Sequence, residues 1–256
     1  MFTELSYEKD GHVGVVTLRR PEARNALTAT TYRELAEAVG DSDARCLVVT
    51  GVDPAFCSGD DVKLLMPASS QPGGELSRQP RLTPAAEALL YSDIPIVAAV
   101  NGPAVGWGME LALMADLRVA SERARFGELF VKRGLCCDVA GLGRLAQLVG
   151  RERASELLFT GRVIDAEEAR AIGLVSRVVA HEELMAAAME LAATIASNPP
   201  LAVRQLKHGL REALDPDWRA LGSWVSSRLG ELFRTEDHRE GVASFLERRE
   251  ARYVGR

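Results

Sequence analysis

Short apolar runs alternate with amphipathic stretches along the first two thirds of the chain. Runs rich in β-branched residues indicate buried strands at residues 13–18, 46–50, 94–100 and 117–120. Residues 28–39 repeat their apolar positions at helical spacing. Thr83-Pro84 is typical of a helix start, Asp165 and Glu168 have the spacing of a capping box, and Gly173 is placed to end that helix. Alternating strands and helices predict an α/β core.

The last third of the chain has a helical pattern throughout. Between residues 181 and 249 it is interrupted at Asn198-Pro199-Pro200 and at Asp215-Pro216, where proline ends a helix. Residues 67–81 are rich in serine, proline and glycine, which predicts a mobile loop. No sequence repeat is visible, so an array of repeated units is not expected.

Two strand-to-helix junctions carry the residues with the clearest chemical meaning. After the strand at 94–100, a Gly106-Trp107-Gly108 bend opens into an apolar helix with one carboxylate, Glu110, near its first turn. After the strand at 46–50, Gly59 permits an unusual backbone conformation and Asp61 has the type and place of a helix N-cap. Two inward-facing backbone N–H groups from separate junctions are what an oxyanion hole requires. We expect the mobile loop to lie over this site.

Five segments in order resemble the motifs of the crotonase (enoyl-CoA hydratase/isomerase) superfamily. They are RPEARNAL (20–27), FCSGDDVK (56–63), AAVNGPAVGWGMELALMAD (98–116), GRVIDAEEARAIGLVSRVV (161–179) and REGVASFLERR (239–249). The resemblance runs over nearly the whole chain. It implies an α/β fold, a crotonase-like spiral of ββα units over residues 1–197, followed by a C-terminal helical trimerisation region over 198–256. It also implies an acyl-CoA substrate and a homotrimer or dimer of trimers. The helices after residue 181 supply an apolar stripe of Leu221, Trp224, Val225 and Leu229 that would need covering.

The resemblance identifies the positions of the oxyanion donors and of the two hydratase glutamates. The oxyanion donors would be the backbone N–H groups of Asp60 and Trp107, holding a thioester oxygen as it becomes an enolate. Trp107 stands where most relatives have a small residue, so its indole is either a packing group or a part of the site. Glu110 matches the first of the two hydratase glutamates, and Phe130 stands at the position of the second.

Glu128 lies two residues before Phe130. If residues 127–130 are extended, the Glu128 side chain is displaced along the strand from the Phe130 position by two residue rises of about 3.3 Å each. We therefore do not expect Glu128 to replace the missing glutamate.

Asp138 stands where ordinary hydratases of the family have a glycine. Relatives that move double bonds carry an aspartate there, as does the aryl-CoA dehalogenase, in which it is a nucleophile. Asp138 also precedes a helix-like run at 142–149, so it could serve only as an N-cap. Glu110 and Asp138 together suit proton transfer, in which one group removes a proton from carbon and the other returns one elsewhere.

The remaining family positions concern the CoA part of the substrate. Arg24 and Lys63 match positions near the nucleotide phosphates, and Arg248 replaces a lysine that relatives supply from a neighbouring subunit, with Phe245 and Leu229 as its apolar company. The full set of predicted substrate-binding residues is Arg24, Ala26, Ser58, Asp61, Lys63, Phe130, Leu229, Phe245 and Arg248.

Composition narrows the class of protein. The 256 residues, 47% hydrophobic and 26% charged, can bury a sizeable core. A net charge of −5 argues against general binding to nucleic acid or to a membrane surface. The four cysteines have neither C-x-x-C spacing nor a nearby histidine, so we expect no metal and no cofactor beyond the coenzyme A of the substrate. Glu4, Glu8, Lys9 and Asp10 near the start are unlike a signal peptide, which favours a cytoplasmic protein.

Three functions follow from these residues, and the sequence leaves them open. The first is double-bond isomerisation by Glu110 and Asp138 in fatty-acid or related acyl-CoA catabolism. The second is hydration of a 2-enoyl-CoA, which in the family uses two carboxylates around one water. The third is a non-catalytic acyl-CoA-binding member, against which the retention of Glu110 and the gain of Asp138 both argue. A dehalogenase-like or thioester-hydrolysing use of Asp138 is disfavoured by the presence of Glu110.

Overall fold

A computed structural model describes residues 2–69 and 82–256, which form nine strands and twelve α-helices. The strands are β1 (Leu5–Asp10), β2 (Val13–Leu18), β3 (Cys46–Gly51), β4 (Ile96–Val100), β5 (Pro103–Val105), β6 (Leu117–Ser121), β7 (Arg125–Gly127), β8 (Ile164–Asp165) and β9 (Arg177–Val179). The helices are α1 (Ala29–Gly40), α2 (Val62–Ser69), α3 (Pro84–Tyr91), α4 (Trp107–Met114), α5 (Val139–Gly143), α6 (Leu145–Val149), α7 (Arg151–Thr160), α8 (Ala166–Ala171), α9 (Leu184–Ala196), α10 (Pro200–Leu214), α11 (Trp218–Leu232) and α12 (Glu236–Glu247).

The strands form a larger and a smaller sheet. The larger sheet has the order β1-β2-β3-β4-β6-β9 and is parallel except for the β1–β2 pair, and the smaller sheet has the order β5-β7-β8. Parallel neighbours require crossover connections, and helices supply them here. β4 and β6 of the larger sheet are each followed by a strand of the smaller one, so the chain winds as a spiral between the two sheets.

The centre of the larger sheet is covered on both faces. Every residue of β3 and β4 is buried, which is why these strands read as unbroken apolar runs. On one face α9 packs small residues, Ala188, Ala192 and Ala196, against the sheet. The main core lies on the other face and includes Phe56, Leu111 and Trp218. Because Trp218 belongs to α11, the C-terminal helices close the main core. The predicted boundary at 197/198 falls between α9 and α10 and stays a prediction.

Several predicted elements have different bounds in the structure. Residues 127–130 are not extended, because β7 ends at Gly127 and a 3-10 helix, Leu129–Arg133, follows and closes on left-handed Gly134. The run predicted at 142–149 is two short helices that begin earlier, since Asp138 caps α5. Of the loop predicted at 67–81, residues 67–69 belong to α2 and residues 70–81 lie outside the described residues.

The capping box predicted at the start of α8 is half formed. Asp165 accepts a hydrogen bond from the Glu168 N–H at 2.9 Å, as predicted. The Glu168 carboxylate instead binds the guanidinium of Arg162, because a fixed cation outcompetes a backbone N–H for its charge.

The C-terminal helices break at both predicted prolines and once more, at residues 233–235, where Thr235 caps α12. The prediction that the apolar stripe on α11 is exposed is wrong. Val225 is buried and Leu221 and Leu229 pack against neighbouring residues of this chain, so only Trp224 of the four is largely exposed. The exposed apolar face lies on α10 instead, where Leu206, Leu210 and Leu214 recur at a spacing of four residues. None of the helices in residues 2–69 and 82–256 has the length and apolar character needed to cross a membrane.

Candidate active site

The two strand-to-helix junctions predicted from the sequence dock against each other. The Cys57 N–H donates to the Pro103 carbonyl at 3.0 Å, and the Val105 N–H donates to the Cys57 carbonyl at 3.1 Å. A Cβ atom at position 59 would lie 2.8 Å from the Val105 oxygen and 3.2 Å from the Trp107 nitrogen, so only glycine fits at this approach. The backbone of the first junction therefore meets the start of α4.

A cleft opens where the junctions meet and contains about 380 Å³ of space, part of it open to solvent. Trp107 is the first residue of α4, so its N–H lies in the turn where helix N–H groups have no intrahelical partner. Asp60 lines the same cleft, which fits the predicted pair of oxyanion donors. The lining residues are Ser58, Gly59, Asp60, Val62, Gly106, Trp107, Leu129, Phe130, Arg133 and Leu135.

Glu110 lies behind the cleft on α4 and has no exposed surface. Its Oε2 accepts a hydrogen bond from the Gly141 N–H at 3.0 Å, whereas Oε1 has no partner within the described parts of the chain. Burial, with the nearby charges of Glu128 and Asp138, holds the pKa of Glu110 well above its usual range. A carboxyl group of this kind favours its protonated form and can act as a general acid.

Asp138 combines the two roles that the sequence left open. Its Oδ1 accepts from the Val139 N–H at 2.8 Å, so it does cap α5. Its Oδ2 accepts from the indole Nε1–H of Trp107 at 3.0 Å, which connects it to the cleft. Burial raises the pKa of Asp138, and the two N–H donors oppose that rise by stabilising the carboxylate.

Asp60 has a side-chain environment that the sequence did not reveal. The Tyr32 hydroxyl donates to its Oδ1 at 2.5 Å, and the Tyr32 ring meets Trp107 edge to face with 4.6 Å between centroids. Burial, and then the charge of Asp138, raise the pKa of Asp60 to about 6 against the opposing effects of Tyr32 and Arg133. Tyr32 was missed because a tyrosine within an amphipathic helix carries no local signal of a site.

From the sequence, Glu128 was not expected to replace the missing glutamate, on the assumption that residues 127–130 are extended. The structure has a 3-10 helix from Leu129 instead, so that assumption is wrong. Glu128 directly follows β7, where Gly127 pairs with Val105 and accepts the Gly106 N–H at 2.8 Å. Its side chain is buried, and neither oxygen has a hydrogen-bond partner among the residues with described positions. Burial and the charge of Asp138 hold the pKa of Glu128 well above its usual range. Glu128 thus joins Glu110 and Asp138 in a group of three carboxyls, of which Glu110 and Glu128 are fully buried and Asp138 is half-buried.

The predicted CoA-binding segments of the N-terminal half lie side by side. The Ser58 N–H donates to the Arg24 carbonyl at 3.1 Å, and the Asp61 N–H donates to the Leu27 carbonyl at 2.9 Å. Ala26 is buried between them, while the side chains of Arg24 and Lys63 are exposed, as phosphate-binding cations would need to be. The Asp61 carboxylate, which directly precedes α2, binds the guanidinium of Arg20 at 3.2 Å. Arg20 is a further cation here that the sequence did not single out.

The predicted C-terminal contacts reach the cleft through two of its lining residues. The Arg133 guanidinium lies 4.4 Å from the centroid of the Phe245 ring. Leu229 packs with Phe130 against the same small apolar cluster. Arg248 ends α12 in a left-handed conformation and is exposed, and its contact with CoA stays a prediction. Across the described residues, no group of three or more histidine, cysteine or acidic side chains has the arrangement of a metal site.

Comparisons with known proteins match nearly the whole chain. The family model for enoyl-CoA hydratase/isomerase matches residues 8–256. The short-chain-enoyl-CoA hydratase of Clostridium acetobutylicum is 37% identical over 94% of both chains, and the crotonyl-CoA hydratase of Syntrophomonas wolfei is 35% identical over 100% of this chain and 99% of its own. The crystal structure of an enoyl-CoA hydratase/isomerase from Pseudoalteromonas atlantica aligns with a TM-score of 0.88 at 30% identity, covering 98% of this chain and 100% of that one.

The fold and the paired junctions define a protein of the crotonase class, and that prediction is confirmed. The chain belongs to the enoyl-CoA hydratase/isomerase family.

Proposed function

We propose that this protein moves the double bond of an unsaturated acyl-CoA thioester, using Glu110 and Asp138 as its proton-transfer pair. One observation carries the proposal. Glu110 is on α4 and Asp138 is hydrogen-bonded to Trp107 at the start of that helix, so two carboxyls with different hydrogen-bond environments meet at one element, while the position of the second hydratase glutamate holds Phe130, which lines the cleft. When the environments of two carboxyls push their pKa values apart, one can act as the base and the other as the acid.

The hydrogen bonds favour Asp138 as the base and Glu110 as the acid. Asp138 receives two N–H donors, which favour its carboxylate form. Glu110 accepts hydrogen bonds from the backbone N–H groups of Gly141 and Ala140, but it is fully buried and faces two other carboxyls, which favour its neutral form. In a 3-enoyl-CoA, Asp138 would take a proton from carbon 2, and the electrons of that C–H bond would form a dienolate.

The thioester oxygen of that dienolate would be held by the N–H groups of Asp60 and Trp107. Removing one such donor typically costs about 2.7–4 kcal/mol of transition-state stabilisation. Glu110 would then protonate carbon 4, leaving a conjugated 2-enoyl-CoA. Exchange of a proton between the two carboxyls or with solvent would restore both for the next turnover.

Hydration of a 2-enoyl-CoA is the second candidate. The names of the Clostridium and Syntrophomonas relatives favour it. Glu128 also favours it, because its buried carboxyl, which has no hydrogen-bond partner in residues 2–69 and 82–256, could supply the second group that holds a water beside Glu110.

The two candidates differ in substrate and in the acid that each requires. With a 3-enoyl- or 3,5-dienoyl-CoA, isomerisation should change the ultraviolet absorbance, and Asp138→Asn should suppress the reaction at least about tenfold. With crotonyl-CoA, hydration should be slow, and Phe130→Glu should increase it. Fast crotonyl-CoA hydration that survives Asp138→Asn but is lost in Glu128→Gln would overturn the isomerase proposal in favour of the hydratase. Binding of CoA thioesters without turnover of any would support the non-catalytic alternative.

A further inference from the structure

We infer that Trp107 is a positioning residue for Asp138, holding its carboxylate through the indole N–H while its backbone N–H serves the oxyanion hole. The inference rests on the proposed function, because it concerns how the proposed base is held. It assigns a role to a side chain for which the sequence left packing and participation equally open.

The contact between the two residues spans the site. The Oδ1 atom of Asp138 accepts the Val139 N–H and so contacts its own helix, α5. Its Oδ2 accepts the indole Nε1–H at 3.0 Å from α4, a residue 31 positions away in the chain. A donor on each oxygen fixes the rotation of the carboxylate and still leaves lone pairs that can accept a proton. Without the indole, one oxygen would lose its donor and its direction.

The indole is itself held in place. Only 3% of Trp107 is exposed, and the Tyr32 ring meets it edge to face with planes 86° apart. Tyr32 in turn donates its hydroxyl proton to Asp60. A continuous series of contacts, Asp60 to Tyr32 to Trp107 to Asp138, therefore joins both predicted oxyanion residues to the proposed base. Movement of Trp107 would displace the base and one backbone donor together.

Other ionisable groups surround Asp138 and bear on any pH measurement. The carboxyls are Glu110 on α4, Glu128 after β7 and Asp60 after β3, and Tyr32 faces it from α1. Two cations act on its neighbours, Arg133 on Asp60 and Arg228 on Cys136. The adjacent thiols stay neutral, because burial raises the pKa of Cys136 to about 11 and that of Cys137 further. A test must therefore separate the titration of Asp138 from that of the other carboxyls.

Trp107→Phe is the matched perturbation, because phenylalanine keeps the backbone N–H and an aromatic ring for Tyr32 but removes the donor. A hydrogen bond to a carboxylate stabilises the charged form, so its loss raises the pKa of Asp138 and lowers the fraction of active base at a given pH. We expect the acid limb of the isomerisation profile to move up by about one pH unit. The kcat should fall about tenfold or more while KM stays within a few-fold. Trp224→Phe, which changes an exposed indole on α11, is the control and should leave the profile in place.

Fluorine NMR tests the contact without relying on activity. The chain has three tryptophans, so 5-fluorotryptophan labelling should resolve three signals, with Trp107→Phe and Trp224→Phe assigning two of them. The Trp107 signal should shift with pH in the wild-type protein, and Asp138→Asn should remove that part of the titration while the other carboxyls remain.

An unchanged Trp107 titration in Asp138→Asn would overturn the inference, as would a pH profile that Trp107→Phe does not move. If Trp107→Phe does not fold, the fluorine titration of the wild type and Asp138→Asn decides alone. If Asp138→Asn isomerises normally, the proposed function fails, whereas the fluorine experiment still reports whether the indole binds Asp138.

Discussion

Replacing Asp60 by asparagine should stabilise the protein at neutral pH. Loss of solvent around the half-buried Asp60 carboxyl, with the charge of Asp138, raises its pKa from 3.8 to about 6. The folded protein therefore binds this proton more tightly than the unfolded chain does. The stability contributed by the group is fully present below about pH 4 and is lost as the pH rises through about 6.

The size of the effect follows from the shift. A difference of about 2 pKa units at 1.36 kcal/mol each corresponds to about 3 kcal/mol of folding free energy. Asparagine has nearly the same shape and keeps an oxygen that can accept from Tyr32, but it carries no charge to desolvate. Asp60→Asn should thus match the wild type near pH 4 and exceed its free energy of unfolding by about 3 kcal/mol near pH 8.

Urea unfolding followed by circular dichroism at both pH values would measure this difference, at one protein concentration because assembly also affects stability. Glu110, Glu128 and Asp138 titrate in both proteins, so they largely cancel in the comparison. Asp10→Asn, at the exposed end of β1, is the matched control and should change little. An equal gain at both pH values, or none near pH 8, would refute the electrostatic reasoning.

Three further predictions concern catalysis, binding and assembly. Glu110→Gln should lower turnover by about 10²–10⁴-fold while calorimetry shows CoA-thioester affinity within a few-fold of the wild type, and an equal loss of binding would make Glu110 structural. Arg24→Ala should raise KM by up to about tenfold with little change in kcat, since an exposed cation contributes to phosphate binding rather than chemistry, and an unaltered KM would place the CoA phosphates elsewhere. Light scattering should show a trimer or a dimer of trimers that covers the exposed leucines of α10, and Leu206→Asp should weaken it; a monomeric wild type would contradict this prediction.

The sequence by itself determined several of the helices and strands and the positions of the main acids along the chain. The strand at 13–18, the Thr83-Pro84 helix start and the C-terminal breaks at proline are confirmed, because periodicity, capping and turn chemistry act between near neighbours. Five motifs in order, among them those around Gly59 and Glu110, were sufficient to identify the family, since each is a continuous segment of the sequence.

Only the tertiary structure decided which side chains meet. The indole of Trp107 reaches Asp138, and Tyr32 reaches Asp60, across 31 and 28 positions of sequence. Glu128 is buried beside Glu110 because the chain turns into a 3-10 helix after β7, where an extended strand would have moved it away. These contacts form where the two strand-to-helix junctions pack against each other. Local sequence patterns do not encode the direction in which a side chain points after that packing. The physical reason is that burial and charge proximity depend on the whole packed fold.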